Sequence, residues 1–229
     1  MNINDDFSIR ASAHTRDIEW IASPMAGVDR KMLDRIGGEV ARATTIVRYA
    51  PGSAFSPHIH TGGEEFLVLE GVFQDEHGDF PAGSYVRNPP QSRHTPGSDP
   101  GCTIFVKLWQ FDLHDRLDVK LRANDLSFKP STRDPGCSSA LLHEDPNERV
   151  TLEQWAANSE LSRSYAGGAE LLVLDGGFVE NDEAFAQFSW LRLPAASTVR
   201  LQVGPRGARV WSKTKHLHAD AIRLPALGT

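Results

Sequence analysis

Cysteine is scarce in this sequence: Cys102 and Cys137 are the two among 229 residues. Two thiols make no disulfide framework, and they lack the C-x-x-C spacing of a zinc ribbon or redox pair, so reduced thiols are expected. Long apolar runs are missing as well. No stretch approaches the roughly eighteen residues of a membrane span. The opening Met1-Asn-Ile-Asn-Asp-Asp-Phe7 is acidic and lacks the basic and apolar regions of an export signal, so a cytoplasmic location is expected. Positive charge is not in excess either. The 24 Lys and Arg face 30 Asp and Glu, for a formal charge of -6, which argues against a nucleic-acid partner. The nearest basic stretch, from Arg206 and Arg209 to Lys213 and Lys215, reads as a solvated strand face.

Helical periodicity is thin. Residues 25–36 fit one short helix, with Val28, Met32 and Ile36 spaced four apart. What is present instead is a series of short segments rich in β-branched and aromatic residues: 44–49, 66–69, 84–88 and 103–111, then 149–155, 170–174, 188–193 and 208–213. Gly and Pro clusters such as Pro51-Gly52, Gly62-Gly63, Pro89-Pro90 and Pro100-Gly101 separate them. Many short strands with regular turns predict an all-β sandwich or barrel.

The chain also repeats itself. Gly62-Gly-Glu-Glu-Phe-Leu-Val-Leu-Glu-Gly-Val-Phe73 matches Gly167-Gly-Ala-Glu-Leu-Leu-Val-Leu-Asp-Gly-Gly-Phe178 at an offset of 105. The same offset aligns Ser84-Tyr-Val-Arg87 and Pro89 with Ser189-Trp-Leu-Arg192 and Pro194. A tandem duplication of β-barrels is expected, residues 1–120 forming the first domain and 121–229 the second.

Four residues of the first copy point to a metal. His58 and His60 are two apart, so on a strand both imidazoles leave one face. The Thr61-Gly62-Gly63 turn brings Glu64 back to that point, and a second hairpin through Pro89 and Pro90 delivers His94. Three imidazoles and a carboxylate suit one divalent ion: Zn, Fe, Mn, Ni or Cu. Strand alternation sends Glu65 the opposite way from Glu64. The duplicate keeps Glu65 as Glu170 but replaces His58, His60, Glu64 and His94 with Arg163, Tyr165, Ala169 and Val199. A metal role for Glu64 and a scaffold role for Glu65 follow. Arg163 and Tyr165 are expected to fill the second barrel, with anion binding as the alternative.

The stretch Pro57-His-Ile-His-Thr-Gly-Gly-Glu-Glu-Phe66 through Gly78, with Gly83-Ser-Tyr-Val-Arg-Asn-Pro-Pro90 and His94, resembles the cupin domain of ChrR-type anti-sigma factors. That resemblance implies tandem jelly-roll cupin barrels and zinc on His58, His60, Glu64 and His94. It also implies a sensor or regulatory role. Related small cupins imply the alternative of an iron-dependent dioxygenase acting on a small diketone- or hydroxyketone-like substrate. Anti-sigma members carry an N-terminal zinc domain built on a His and a C-x-x-C pair. No cysteine precedes Gly52 here, so a sigma-factor partner is not expected. A small-molecule ligand is. Cupin barrels often pair through their strands, as a homodimer or, in a duplicated chain, internally.

Among the other residues, Cys102 reads as a buried core thiol, with oxidant sensing near the metal as the sharper alternative. His216 and His218 read as part of a tail strand, and His14, His77, His114 and His143 as surface residues. Phe55, Phe66, Tyr85, Phe105 and Trp109 read as core aromatics.

Overall fold

The computed structural model describes residues 1–38, 40–218 and 222. Among them the regular structure is strand, apart from two single 3-10 turns at Thr15–Asp17 and Ala123–Asp125. Two compact units are present. The first contains Met1–Asp5 and Glu19–Asp125; the second contains Asp6–Ile18 and Leu126–Ile222. The units therefore do not follow a single cut near residue 120, because Asp6–Ile18 lies within the second.

In the first unit the main antiparallel sheet runs Asn2–Ile3, Val28–Gly37, Ala41–Tyr49, Cys102–Leu108, Glu64–Asp75, Tyr85–Asn88 and Val119–Leu121. A separate pair, His58–His60 against Ser92–His94, carries the expected ligands. Alternation along the strands sends Phe66, Val68, Val86, Ile104 and Val106 into one core with Phe73 and Phe80. Residues of the opposite parity, including Glu65, Leu67, Tyr85 and Phe105, are buried too. The strand expected over 103–111 stops at Leu108, where Trp109 takes a positive φ of 59°.

Residues 25–36 form no helix. Val28–Gly37 is a ten-residue strand paired with Ala41–Tyr49, and its register shifts between Met32 and Asp34. A bulge of this kind inserts one residue and changes which side chains face inward. The four-residue apolar spacing fits a strand as well as a helix, because four is a multiple of the strand period of two.

The second unit repeats the arrangement. Its sheet runs Lys129–Pro130, Ser138–Glu144, Arg149–Trp155, Ser197–Thr214, Ala169–Glu180, Ser189–Leu193 and Ala11–His14. Glu64–Asp75 and Ala169–Glu180 differ by the same 105 residues at both ends. Strand Glu160–Tyr165 pairs Arg163 with Val199, as His58 pairs with His94 in the first unit. Each barrel also gains a flanking strand lying beside a repeated arginine. Arg87 packs over Phe111, with its carbon Cζ 4.0 Å from the ring centroid. Arg192 packs 4.1 Å over Phe7 and donates to the Asp6 carbonyl at 2.8 Å.

Buried charge follows the repeat. Glu65 sits directly between Arg87 and Lys107 on its two neighbouring strands, and Glu170 between Arg192 and Lys213. Opposite charges facing each other across strands stabilise a sheet pairing. Tyr85 donates to Glu65 Oε1 at 2.8 Å, and Trp190 Nε1 to Glu170 Oε2 at 3.0 Å. On the solvated face expected from Arg206 to Lys215, both of those residues are exposed, but Lys213 is fully buried.

Candidate metal centre

His58 and His60 share a strand of three residues, and the tight turn after it depends on glycine. A β-carbon on Gly62 would lie 2.0 Å from the Trp109 ring, and Gly63 has a φ of +79°. The chain can thus pass beneath Trp109 and re-enter at Glu64. His94 lies directly opposite His58 on the partner strand.

This arrangement brings the predicted donors together. One ligand atom from each of His58, His60 and His94 lies within 4.8 Å of the others. His60 Nε2 and His94 Nε2 are 2.9 Å apart, and Glu64 Oε2 lies 3.3 Å from the first and 3.6 Å from the second. Donors bound to one first-row ion at about 2.0–2.2 Å are roughly 3–3.5 Å apart, so the spacing fits a shared cation. His60, Glu64 and His94 are buried, and His58 is half-buried at the opening.

Three further residues tune the donors. Asp75 Oδ2 lies 3.3 Å from His94 Nδ1, and its side chain is fully buried. A carboxylate there holds the proton on Nδ1 and leaves the Nε2 lone pair facing the other donors. Asp75 also accepts the His77 backbone N–H at 2.7 Å. Asn88 Nδ2 donates to Glu64 Oε2 at 3.1 Å, and the Ser56 carbonyl lies 3.2 Å from His58 Nδ1. Burial works against charge on Asp75, but the bonds from His94 and His77 outweigh it and lower its pKa. Burial, together with the neighbouring imidazoles, lowers the pKa of His60 against the pull of Glu64. On His94 burial is overcome by Asp75, Glu64 and Glu76, and the pKa rises.

Asp75 was not legible as part of the site, since it ends a strand whose far end holds Glu64. Tyr49 and Phe73 were also missed. Tyr49 stacks edge-on against Phe55 and Phe73, and Phe73 lies 5.7 Å from the His94 ring. Burial, then the negative charge of Glu64, raises the Tyr49 pKa, so its phenol stays protonated beside the site.

The expected core aromatics divide between faces. Phe55 and Phe66 join the interior cluster, Tyr85 and Phe105 point the other way, and Trp109 covers Gly62. Cys102 lies in the same interior cluster, and burial pushes its thiol up to about 11.

The histidines expected at the surface divide. His77 and His114 are exposed, whereas His14 is half-buried between Ser189 and Glu183. His143 is buried near Asp145 and Glu148, a second grouping of donor atoms. There Asp145 accepts the N–H groups of Asn147 and Glu148, while Glu148 pairs with Lys213 at 2.7 Å, which engages both carboxylates. The long strand ends at Thr214, so His216 lies in a turn rather than a tail strand, with Nε2 2.8 Å from Glu170 Oε1. None of the four first-barrel donors recurs in the second barrel: Ala169 and Val199 are buried apolar residues, and Arg163 and Tyr165 stand where His58 and His60 do in the first.

The family model for the ChrR cupin-like domain matches residues 8–112. No curated protein sequence matches the chain. Solved structures share the fold across both barrels. A candidate dioxygenase from Nostoc punctiforme is 14% identical, with a TM-score of 0.72 over 97% of this chain and 84% of its own. The bacterial pirin YhhW of Escherichia coli, in complex with nickel(II), is 12% identical, with a TM-score of 0.63 over 90% of this chain and 98% of its own. The oxalate decarboxylase of Lactobacillus farciminis, a formate complex, is 11% identical, with a TM-score of 0.62 over 91% and 86%.

Proposed function

We propose that this cupin-fold chain, with its ChrR cupin-like domain at residues 8–112, holds one divalent metal ion in its first barrel and uses it to bind a small oxygen-rich molecule. The observation that carries this reading is the convergence of His58, His60 and His94 on one point, with Glu64 beside two of them. A bound ion would supply Lewis acidity to a chelating oxygen ligand. The protein residues divide the remaining tasks. Asp75 keeps His94 in the donor tautomer, Asn88 holds the Glu64 carboxylate in place, and the aromatic wall of Tyr49, Phe55 and Phe73 limits water. The protonated Tyr49 hydroxyl is available to donate to an oxygen of the guest. Half-buried His58 leaves the site open to the outside, which favours ligand binding over a purely structural ion.

By resemblance zinc is the expected ion and a regulatory, ligand-sensing role the expected use. The nickel(II) bound by the pirin structure supports the same kind of site for other first-row ions. A second reading, an iron-dependent dioxygenase, draws support from the candidate dioxygenase that shares the fold over 97% of this chain.

Metal analysis of protein purified without added metal tests the site, and oxygen uptake with acetylacetone on iron-loaded protein separates the two uses. One ion per chain that disappears in His60→Ala is expected. A full equivalent retained by that variant would overturn the ligand assignment. Substrate-dependent oxygen uptake would favour the dioxygenase, and tight zinc without turnover the binding role.

A further inference from the structure

We infer that the mouth of the second barrel is a separate binding site for a small carboxylate anion, built on Arg163 and Tyr165. The two residues stand at the strand positions that hold His58 and His60 in the first barrel, and the register Arg163 with Val199 repeats that of His58 with His94. The four donors of the first barrel have no counterparts there, since Ala169 and Val199 replace the other two. The space is not filled, however. A cavity of about 560 Å³ remains, within the size range of small-molecule sites.

Its chemistry favours an oxyanion. Arg133, Arg149, Arg163 and Lys215 line it against Asp134 and Glu153, a local cationic excess in a chain whose formal charge is -6. Arg149 and Lys215 share Glu144 and Arg133 is exposed, which leaves Arg163 as the deep cation. Its side chain is 12% exposed, and Asp134 Oδ1 lies 2.7 Å from Nη1. That ion pair engages the Nη1 end of the guanidinium. The guanidinium has five donors, and among the described residues no other acceptor takes them. A planar carboxylate matches that fork in two-point fashion.

Tyr165 adds a neutral donor. It is buried, it lines the cavity beside Arg163, and burial followed by Glu153 raises its pKa so that the proton stays. Of the hydroxyls around the same cavity, Ser138 donates to Gln154 at 2.9 Å and Thr151 to Glu153 at 3.2 Å, so the donors left to a guest are those of Arg163 and Tyr165. A carboxylate seated on Arg163 and accepting from Tyr165 would take up guanidinium donors that Asp134 leaves over. A single buried guanidinium already shared with Asp134 suits a carboxylate better than a phosphate dianion.

Calorimetric titration of the full chain with malonate, citrate and inorganic phosphate tests this. Malonate or citrate should bind. Arg163→Gln should weaken binding by about tenfold or more, the loss of one charge-assisted contact. Tyr165→Phe, which removes only the hydroxyl and leaves the ring to pack, should weaken it several-fold, and neither change should alter the metal content. His60→Ala should leave carboxylate affinity intact, so this site stands or falls apart from the metal. No heat with either carboxylate, phosphate as the sole binder, unchanged affinity in both second-barrel variants, or loss of binding in His60→Ala would each overturn the assignment.

Discussion

Asp75 Oδ2 lies 3.3 Å from His94 Nδ1, on the side of the ring opposite the nitrogen that faces His60 and Glu64. The pairing fixes which nitrogen of His94 is free to donate its lone pair, and the complete burial of the Asp75 side chain protects it from water. Outer partners of this kind are worth roughly 10–100-fold in metal affinity. Asp75→Asn should therefore lower affinity by that factor in a chelator competition, while circular dichroism shows the strands intact. Unchanged affinity would mean that His94 is oriented by packing alone.

The adjacent acids Glu64 and Glu65 should separate cleanly. Glu64 faces the imidazoles, whereas Glu65 lies on the other face between Arg87 and Lys107 and accepts from Tyr85. Glu64→Gln should cost metal affinity with little change in the melting temperature of the metal-free protein. Glu65→Gln should do the reverse, because an uncompensated buried Arg and Lys cost about 3–5 kcal/mol. Parallel measurements of metal content and thermal unfolding decide this, and the assignment fails if Glu65→Gln is the variant that loses metal.

These two acids also mark how far the residues alone could be read. The repeat at offset 105 distinguished Glu64 from Glu65 because a scaffold charge persists in both copies while a ligand does not. Short-range spacing likewise located His58 and His60, since two residues on a strand share a face. Asp75 was invisible because its partner is nineteen positions away and the link depends on the path of the whole Glu64–Asp75 strand. The placement of Asp6–Ile18 in the second unit rests on Ala11–His14 pairing with Ser189–Leu193, a contact without a local signal. At residues 25–36 the local signal was ambiguous, because an apolar spacing of four serves a strand, with its period of two, as well as a helix.

Cys102 should be slow to oxidise. It belongs to the interior cluster, and burial raises its pKa to about 11, so little thiolate exists at neutral pH. A thiol reagent added to native protein at pH 7.5 should label it only as the protein unfolds, with full labelling in denaturant. Rapid native labelling assigned to Cys102 by peptide mapping would restore the oxidant-sensing alternative.

Glu183 gives the second unit a pH-dependent clasp on residues 10–14. Arg10 Nη2 lies 2.5 Å from Glu183 Oε2, His14 Nε2 lies 2.8 Å from Oε1, and Arg10 Nε also reaches Glu180 at 2.9 Å. Partial burial disfavours charge on Glu183, but bonds from Ser12, Arg10 and His14 prevail, and its folded pKa falls below the ordinary glutamate value. A carboxylate depressed on folding contributes stability above its unfolded pKa, about 4.3, and loses it as pH drops through the folded pKa. The side chain is 29% exposed, so solvent screening limits the gain to about 1 kcal/mol. Glu183→Gln should therefore lower the melting temperature at pH 7, with the difference from the parent protein shrinking as the pH falls below about 4. A gap that stays constant from pH 7 to pH 3 would show that residues 10–14 are held by strand pairing with Ser189–Leu193 and not by this charge.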